Sequence, residues 1–402
     1  MEPKIRFKGY SGDWKNDVIG NIATFSKGRG YSKGDLKSVG NPIILYGRLY
    51  TNYSSIINNV DTFASLKKGS VLSKGKEVII PGSGETPEDI AIASAVEQKN
   101  VILGGDLNVI TFDEKKIIPP FAAMCITNSK THYELSGYAQ GKTVVHLHNS
   151  GISKGHLSYP SKDEQQAIVL YLSSLDKLIK STSKKVESLK KLKSASLVAM
   201  FPQQGETTPK VRFKGFEGEW KIKSFKELYK RSSIKNDLTY DSSKIISVAN
   251  MYFKEDNMNT DETYLLTYNV MKLGDIAFEG NKSKSFAHGR FVENSIGNGI
   301  VSHVFVVFSP LNEDYDIDFW KYYINNEQVM GSKLVRCTKS STMMTDLVVD
   351  DFLKETILVP SLEEQQELGR YFATLDLKIA LETDRLEKLK QIKLACLDKM
   401  FV

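Results

Sequence analysis

Pro3-Lys-Ile-Arg-Phe-Lys-Gly-Tyr-Ser-Gly-Asp-Trp-Lys15 returns 206 positions later as Pro209-Lys-Val-Arg-Phe-Lys-Gly-Phe-Glu-Gly-Glu-Trp-Lys221. A second echo, at an offset of 200, pairs Tyr159-Pro-Ser-Lys-Asp-Glu-Gln-Gln166, running on to Met200-Phe201, with Val359-Pro-Ser-Leu-Glu-Glu-Gln-Gln366, running on to Met400-Phe401. Two full units therefore follow one another. The difference between the offsets makes the segment between the echoes six residues longer in the first unit. Ends are alike and middles differ, as in a duplicated scaffold carrying two separately diversified inserts.

The second echo reads as the start of a long helix. Ser161 and Ser361 stand at the N-cap with Glu164 and Glu364 three residues on, a capping box, and Pro160 and Pro360 stop a preceding strand just outside. Beyond the cap, Ile168, Leu172, Leu175, Ile179, Val186 and Leu189 follow a 3-4 spacing, and Leu368, Phe372, Leu375, Ile379, Leu386 and Leu389 hold the same registers. Each helix thus carries one apolar seam, interrupted at the same level by Thr182 and Glu382. About 40 residues at 1.5 Å each make a rod of about 60 Å. Shared length and register predict that the two seams pair as an antiparallel coiled coil; an ordinary long core helix is the other reading.

Between the echoes lie short β-rich runs, Glu77–Ile80, Leu107–Phe112, Thr143–Leu147, Ile245–Val248 and Val304–Phe308, separated by Gly, Ser and Asn turns. The fold class expected is α+β, two mixed α/β domains separated by two long helices. The boundaries read as a first domain over 1–158, a helix over 159–201, a linker over 202–208, a second domain over 209–358 and a second helix over 359–402. Loops at 27–33, 46–50, 140–143, 281–286 and 339–342 interleave basic residues with Tyr, Asn, Gln and Ser. Such loops can hold phosphates and read base edges. Any one of them alone reads equally well as a solvated turn.

A chain of 402 residues, 41% apolar and 25% charged, is long enough for two or more domains with real cores. Cys125, Cys337 and Cys396 stand far apart without a Cys-x-x-Cys pair, which argues against zinc ribbons and disulfide frameworks and suits a reducing cytoplasm. The basic N-terminus and the lack of an apolar run near 18 residues predict a soluble intracellular protein. A net charge of +6 permits nucleic-acid binding without arguing for it.

Sites for covalent chemistry come up short. Gly137 to Thr143 misses the phosphate-binding loop by one position, because Ser136 stands where glycine is needed. Pro87-Glu-Asp89 with Glu97-Gln-Lys99 loosely matches a nuclease cluster, but a helix capped by Thr86 explains the same residues. Asn41-Pro-Ile-Ile44 and Ile118-Pro-Pro-Phe121 each lack part of the motif that grips an amino group for methylation. His146 and His148 share a strand face without a third metal ligand nearby, which favours a structural or DNA-facing pair. No metal site is expected.

The Pro-Ser-x-x-Glu-Gln-Gln helix starts at 160–166 and 360–366, their recurrence after each variable domain, and Gly82-Ser-Gly-Glu-Thr86 with Gly104-Gly-Asp106 resemble the specificity subunit of Type I restriction-modification systems. The resemblance covers essentially the whole chain and implies one target-recognition domain per half of a split double-stranded DNA target. It further implies that the paired helices act as a ruler and as the docking surface for two modification subunits. Those partners would bind S-adenosylmethionine and methylate adenine, and motor-nuclease subunits using ATP and Mg would translocate and cleave; this chain would bind no cofactor and catalyse nothing. The second domain departs from the pattern, with Glu279-Gly280-Asn281 where the first has Pro81-Gly82-Ser83. Expected backbone contacts are Arg29, Lys33, Arg48, Lys142, Lys282, Lys284, Arg290 and Lys339. Expected base or sugar contacts are Tyr50, Ser83, Thr86, Gln140, Thr143, Asn250, Asn281, Ser340 and Thr342. The competing classes are a DNA-modifying enzyme with an unrecognised site and a coiled-coil scaffold that binds no DNA.

Overall fold

The computed structural model describes residues 2–254, 261–311, 315–340 and 344–402. These form two compact units, Met1–Thr182 with Arg385–Val402, and Ser183–Asp384. Both divisions fall inside a long helix, so Lys162–Ala199 and Leu362–Lys399, 38 residues each, start in one unit and finish in the other.

In the first unit the two echoes are bound to each other. Lys15–Val18 pairs antiparallel with His156–Tyr159, Lys15 opposite Tyr159, and this two-stranded ribbon leads into the helix. The Arg6 guanidinium donates to both oxygens of Glu164, Nε at 2.7 Å and Nη2 at 2.8 Å, and its Nη1 donates to the Gly12 carbonyl at 2.6 Å. Here the capping-box expectation needs correction. The Ser161 hydroxyl does accept the Glu164 amide at 3.4 Å, but the Glu164 carboxylate turns to Arg6. An arginine fork satisfies a buried carboxylate better than one amide can. Gln165 completes the junction, its amide donating to the Lys116 and Pro160 carbonyls and accepting from Ile118 N–H.

The second unit repeats these ties in the same register. Lys221 lies opposite Val359, Arg212 donates to both Glu364 oxygens at 2.6 and 2.7 Å, and Gly218 accepts from Arg212 Nη1. The ends of the long helices explain the remaining echo. Phe401 packs on Phe121 in the first unit, centroids 5.8 Å apart, and Trp14 meets the same ring at 5.7 Å. In the second unit Phe201 meets Tyr323 at 5.0 Å and Phe372 at 5.5 Å, with Trp220 against Tyr323 at 5.7 Å.

The expected antiparallel pairing is present within each unit. Asp176 meets Lys393 and Tyr171 lies near Cys396 in the first; Asp376 meets Lys193 and Tyr371 bonds Ser196 in the second. Residue numbers rise on one helix as they fall on the other, and the partners in the two units differ by 200 positions. Of the seam residues, Ile168, Leu172, Leu175, Val186, Leu368, Phe372, Leu375, Leu386 and Leu389 are buried, with Ile179, Leu189 and Ile379 half-buried. The break in the seam is polar but not loose: Thr182 is buried and Glu382 pairs with Lys185.

The segments between the echoes are built on sheets. The first has five strands in the order Ala23–Lys27, Leu107–Phe112, Glu77–Pro81, Ser94–Val96 and Ile56–Ile57, antiparallel except for the last pair, with a second five-stranded sheet built on Asn41–Ile44 and Ile102–Leu103. The buried helix Pro119–Asn128 lies in the first domain's core. Tyr229–Ser232, Val306–Pro310, Ile276–Glu279 and Arg290–Glu293 form the second domain's main antiparallel sheet. Of the expected strands, Thr143–Leu147 shrinks to Val145–His146, because its partner Ser83–Gly84 offers only two residues of pairing.

The second domain contains a buried acid. Glu293 is 1% exposed and accepts from Tyr315 Oη at 2.8 Å, while its other oxygen has no hydrogen-bond partner among the described residues. Burial raises its pKa well above the ordinary carboxyl range; Asp316 and Asp318 add to the shift, and the Tyr315 hydrogen bond opposes it only in part. Folding therefore holds a proton that the unfolded chain releases, so this stabilisation is full below the ordinary carboxyl pKa and is lost as pH rises through the folded value. Thermal melts from pH 5 to 9 should show the second unit weakening with pH, and Glu293→Gln should flatten that decline. An equal slope in the variant would place the proton elsewhere.

Candidate nucleic-acid interface

In the first unit several loops meet at one end of the main sheet. The register puts Lys27 beside Asn108 and Asn108 beside Ile80, so the turns that follow Lys27 and Pro81 and the one that precedes Leu107 share an edge. Gly28 N–H donates to Leu107, Arg29 N–H to Leu103, Gly105 N–H to Gly30 and Gly82 N–H to Asp106. The approach is too close for side chains: a Cβ on Gly28 would lie 1.9 Å from the Gly104 carbonyl. The loop that ends at His146 joins through backbone bonds between Gln140 and His146 in both directions and through Leu147 N–H to Gly82. Tyr50 donates to the Ser83 carbonyl at 2.8 Å, and Ser83 Oγ lies 2.9 Å from His146 Nδ1. Burial, with Asp89 and Asp106 nearby, pushes the Tyr50 phenol up, so it stays a donor.

The second unit gathers its loops around an arginine. Arg290 Nε bonds the buried Glu279 at 2.7 Å, Nη2 reaches the Ala249 carbonyl at 2.8 Å, and the guanidinium lies 5.1 Å from the Phe286 ring centroid. Thr345 N–H donates to Gly280, where a Cβ would come within 2.2 Å of the Thr345 carbonyl. The hairpin Thr338–Ser340 with Thr345–Leu347 sets Lys339 opposite Asp346.

The expected contact residues separate accordingly. Arg29, Gln140, Lys142 and Thr143 are exposed on the first cluster; Asn250, Asn281, Lys282, Lys284 and Lys339 are exposed on the second. Lys33 is exposed at the start of a short turn helix, Lys33–Asp35, farther along its loop. Arg48 and Arg290 each form an ion pair within their domain, Arg48 with Asp61 and Arg290 with Glu279. Ser83 is buried, the Tyr50 hydroxyl is taken by Ser83, and Thr86 caps Pro87–Ile90 by accepting from Asp89 N–H at 3.1 Å. Ser83 shapes its loop from within, while Tyr50 and Thr86 make these bonds from exposed positions. Ser340 pairs with Thr345 through the backbone, and Thr342 lies outside the described residues.

Other motifs resolve as structure. Gly137 ends the helix Lys130–Gly137, so the segment near the phosphate-loop pattern follows a helix rather than a strand. Pro119 and Pro120 open a buried helix, and Asn41–Ile44 is a strand. Among the described residues no three His, Cys, Asp or Glu side chains converge on one metal position, and no helix is long and apolar enough to cross a membrane.

Comparison with known proteins agrees with this architecture. The profile of the Type I restriction modification DNA specificity domain matches the chain twice, over residues 11–191 and 214–391, and the chain belongs to that family. It is a DNA-recognition subunit of a Type I restriction-modification complex. The crystal structure of a Type-I restriction-modification system S subunit from M. genitalium is similar over 100% of this chain and 99% of that one, with a TM-score of 0.58 and 14% identity. That of the HsdS subunit from Thermoanaerobacter tengcongensis is similar over 98% of each chain, with a TM-score of 0.50 and 14% identity. At such identity the likeness concerns the fold. No curated protein is similar enough to count as a match.

Proposed function

We propose that each unit reads one half of a two-part DNA sequence and that the chain itself performs no covalent chemistry. The observation that carries this reading is a repeated frame with unlike loop clusters: the same ribbon, arginine clamp and helix start support Ser83 and its neighbours in one unit and Arg290 and its neighbours in the other. The chain would work in the cytoplasm with two modification subunits that bind S-adenosylmethionine, and ATP- and Mg-dependent motor-nuclease subunits would join the full complex. Mapping modified bases in a genome that expresses this chain with its modification subunit tests the reading. Two short sequences at a fixed spacing are expected; one continuous site would overturn it.

Exposed lysines on the clusters would supply phosphate contacts, which carry no sequence information but make binding salt-dependent. Lys142→Ala in the assembled complex should weaken binding to all duplexes alike and reduce the slope of log affinity against log salt by about 1. Titrations at several salt concentrations check this; a change confined to one sequence would make Lys142 a base reader instead.

A further inference from the structure

Each cluster presents a matched pair of exposed side chains. In the first unit Leu147 donates its N–H to the carbonyl of Gly82, the glycine that follows the central strand; in the second, Thr345 donates to Gly280 in the same position. The residues on either side of that bond alternate outward. They are His146 and His148 in the first unit and Met344 and Asp346 in the second, all four exposed. One backbone position thus carries quite different chemistry in the two halves.

The first pair is also held in place. The His146 and His148 rings are parallel to within 2° with centroids 6.2 Å apart. Ser83 is only 8% exposed, and its hydroxyl makes one side-chain hydrogen bond among the described residues, to His146 Nδ1 at 2.9 Å. In the tautomer that carries its proton on Nε2, Nδ1 accepts from the Ser83 hydroxyl and Nε2 is a donor. The bond satisfies the buried Ser83 hydroxyl and at the same time holds the exposed His146 ring in one orientation, which prepares it to meet a ligand.

We propose that these paired positions determine sequence preference, an inference that rests on the two-reader function above. His146 and His148 would donate to a base edge rich in acceptors, such as guanine N7 and O6. Asp346 would accept from an amino group of cytosine or adenine, and Met344 would lie against an apolar edge such as the thymine methyl.

The test uses the assembled modification complex and a library of duplexes randomised in both half-sites, read by which molecules become modified. His146→Ala with His148→Ala should relax preference at one or two positions of the first half-site, on the order of tenfold for each lost contact. The second half-site, read by the same chain, serves as the folding control and should not change. Asp346→Ala should do the converse, and His148→Asp should shift the first half-site towards a base that offers an amino donor. Unchanged preference in variants that still read the other half would overturn the pairs as readers, as would an equal loss on all sequences. A wild-type complex without a two-part preference would overturn the underlying reading, and the proposal with it.

Discussion

Glu164→Ala will cost the first unit about 3 kcal/mol, the lower end of the range for breaking a buried ion pair by removing one partner. The Glu164 carboxylate is 2% exposed and the Arg6 side chain 15%, and the guanidinium spans Glu164, Gly12 and Ser11. Removing the acid leaves a largely buried cation with two carbonyl partners and, at 3.3 Å, the exposed Glu2 carboxylate, and loosens the N-terminal segment from the helix start. Arg6→Ala with Glu164→Ala should cost less than the two single losses added, because neither charge is left stranded. Glu364→Ala should act in the same way on the second unit through Arg212. Calorimetric melts of the four variants check this. A Glu164→Ala protein that melts with the wild type would show that the clamp is solvated and contributes nothing.

Exchange of residues 16–158 for another domain of this kind will replace the first half of the recognised sequence and leave the second untouched. The cut points face each other across one ribbon, since Lys15 pairs with Tyr159 and Asn16 with Ser158. The donor domain must bring an apolar surface to receive Phe401, as Phe121 does here. Because specific sites exceed non-specific ones by at least about 10³-fold, modification of the original first half should fall by a comparable factor. Mapping of modified bases decides the matter: both halves altered, or neither, would rule out independent readers.

The scaffold was legible because its signals are local or repeated. The apolar seam has a period of its own, and the Trp14 and Trp220 segments are recognisable by their likeness to each other. What joins Arg6 to Glu164 is not local, the two lying 158 positions apart, so the glutamate reads from the sequence as a cap and not as half of a clamp. The loop residues were legible only as a class. Charge marks Arg48, Arg290 and Lys142 alike; only the fold reveals that Asp61 and Glu279 claim the arginines. His146 and His148 stood out by their alternation, but their orientation depends on Ser83, 63 positions before His146, and spacing alone does not disclose that.

The division of the long helices has a consequence for how the molecule is made. The second unit is one unbroken stretch, Ser183–Asp384, whereas the first needs Arg385–Val402. A ribosome delivers the first reading domain early, yet Phe401, which packs on Phe121, follows only after the whole second unit has been synthesised. At about 5–20 residues per second the intervening stretch of roughly 200 residues takes about 10–40 s. During that interval the earlier domain waits with an uncovered apolar surface, and the half of the molecule that is synthesised second is the first that can be finished.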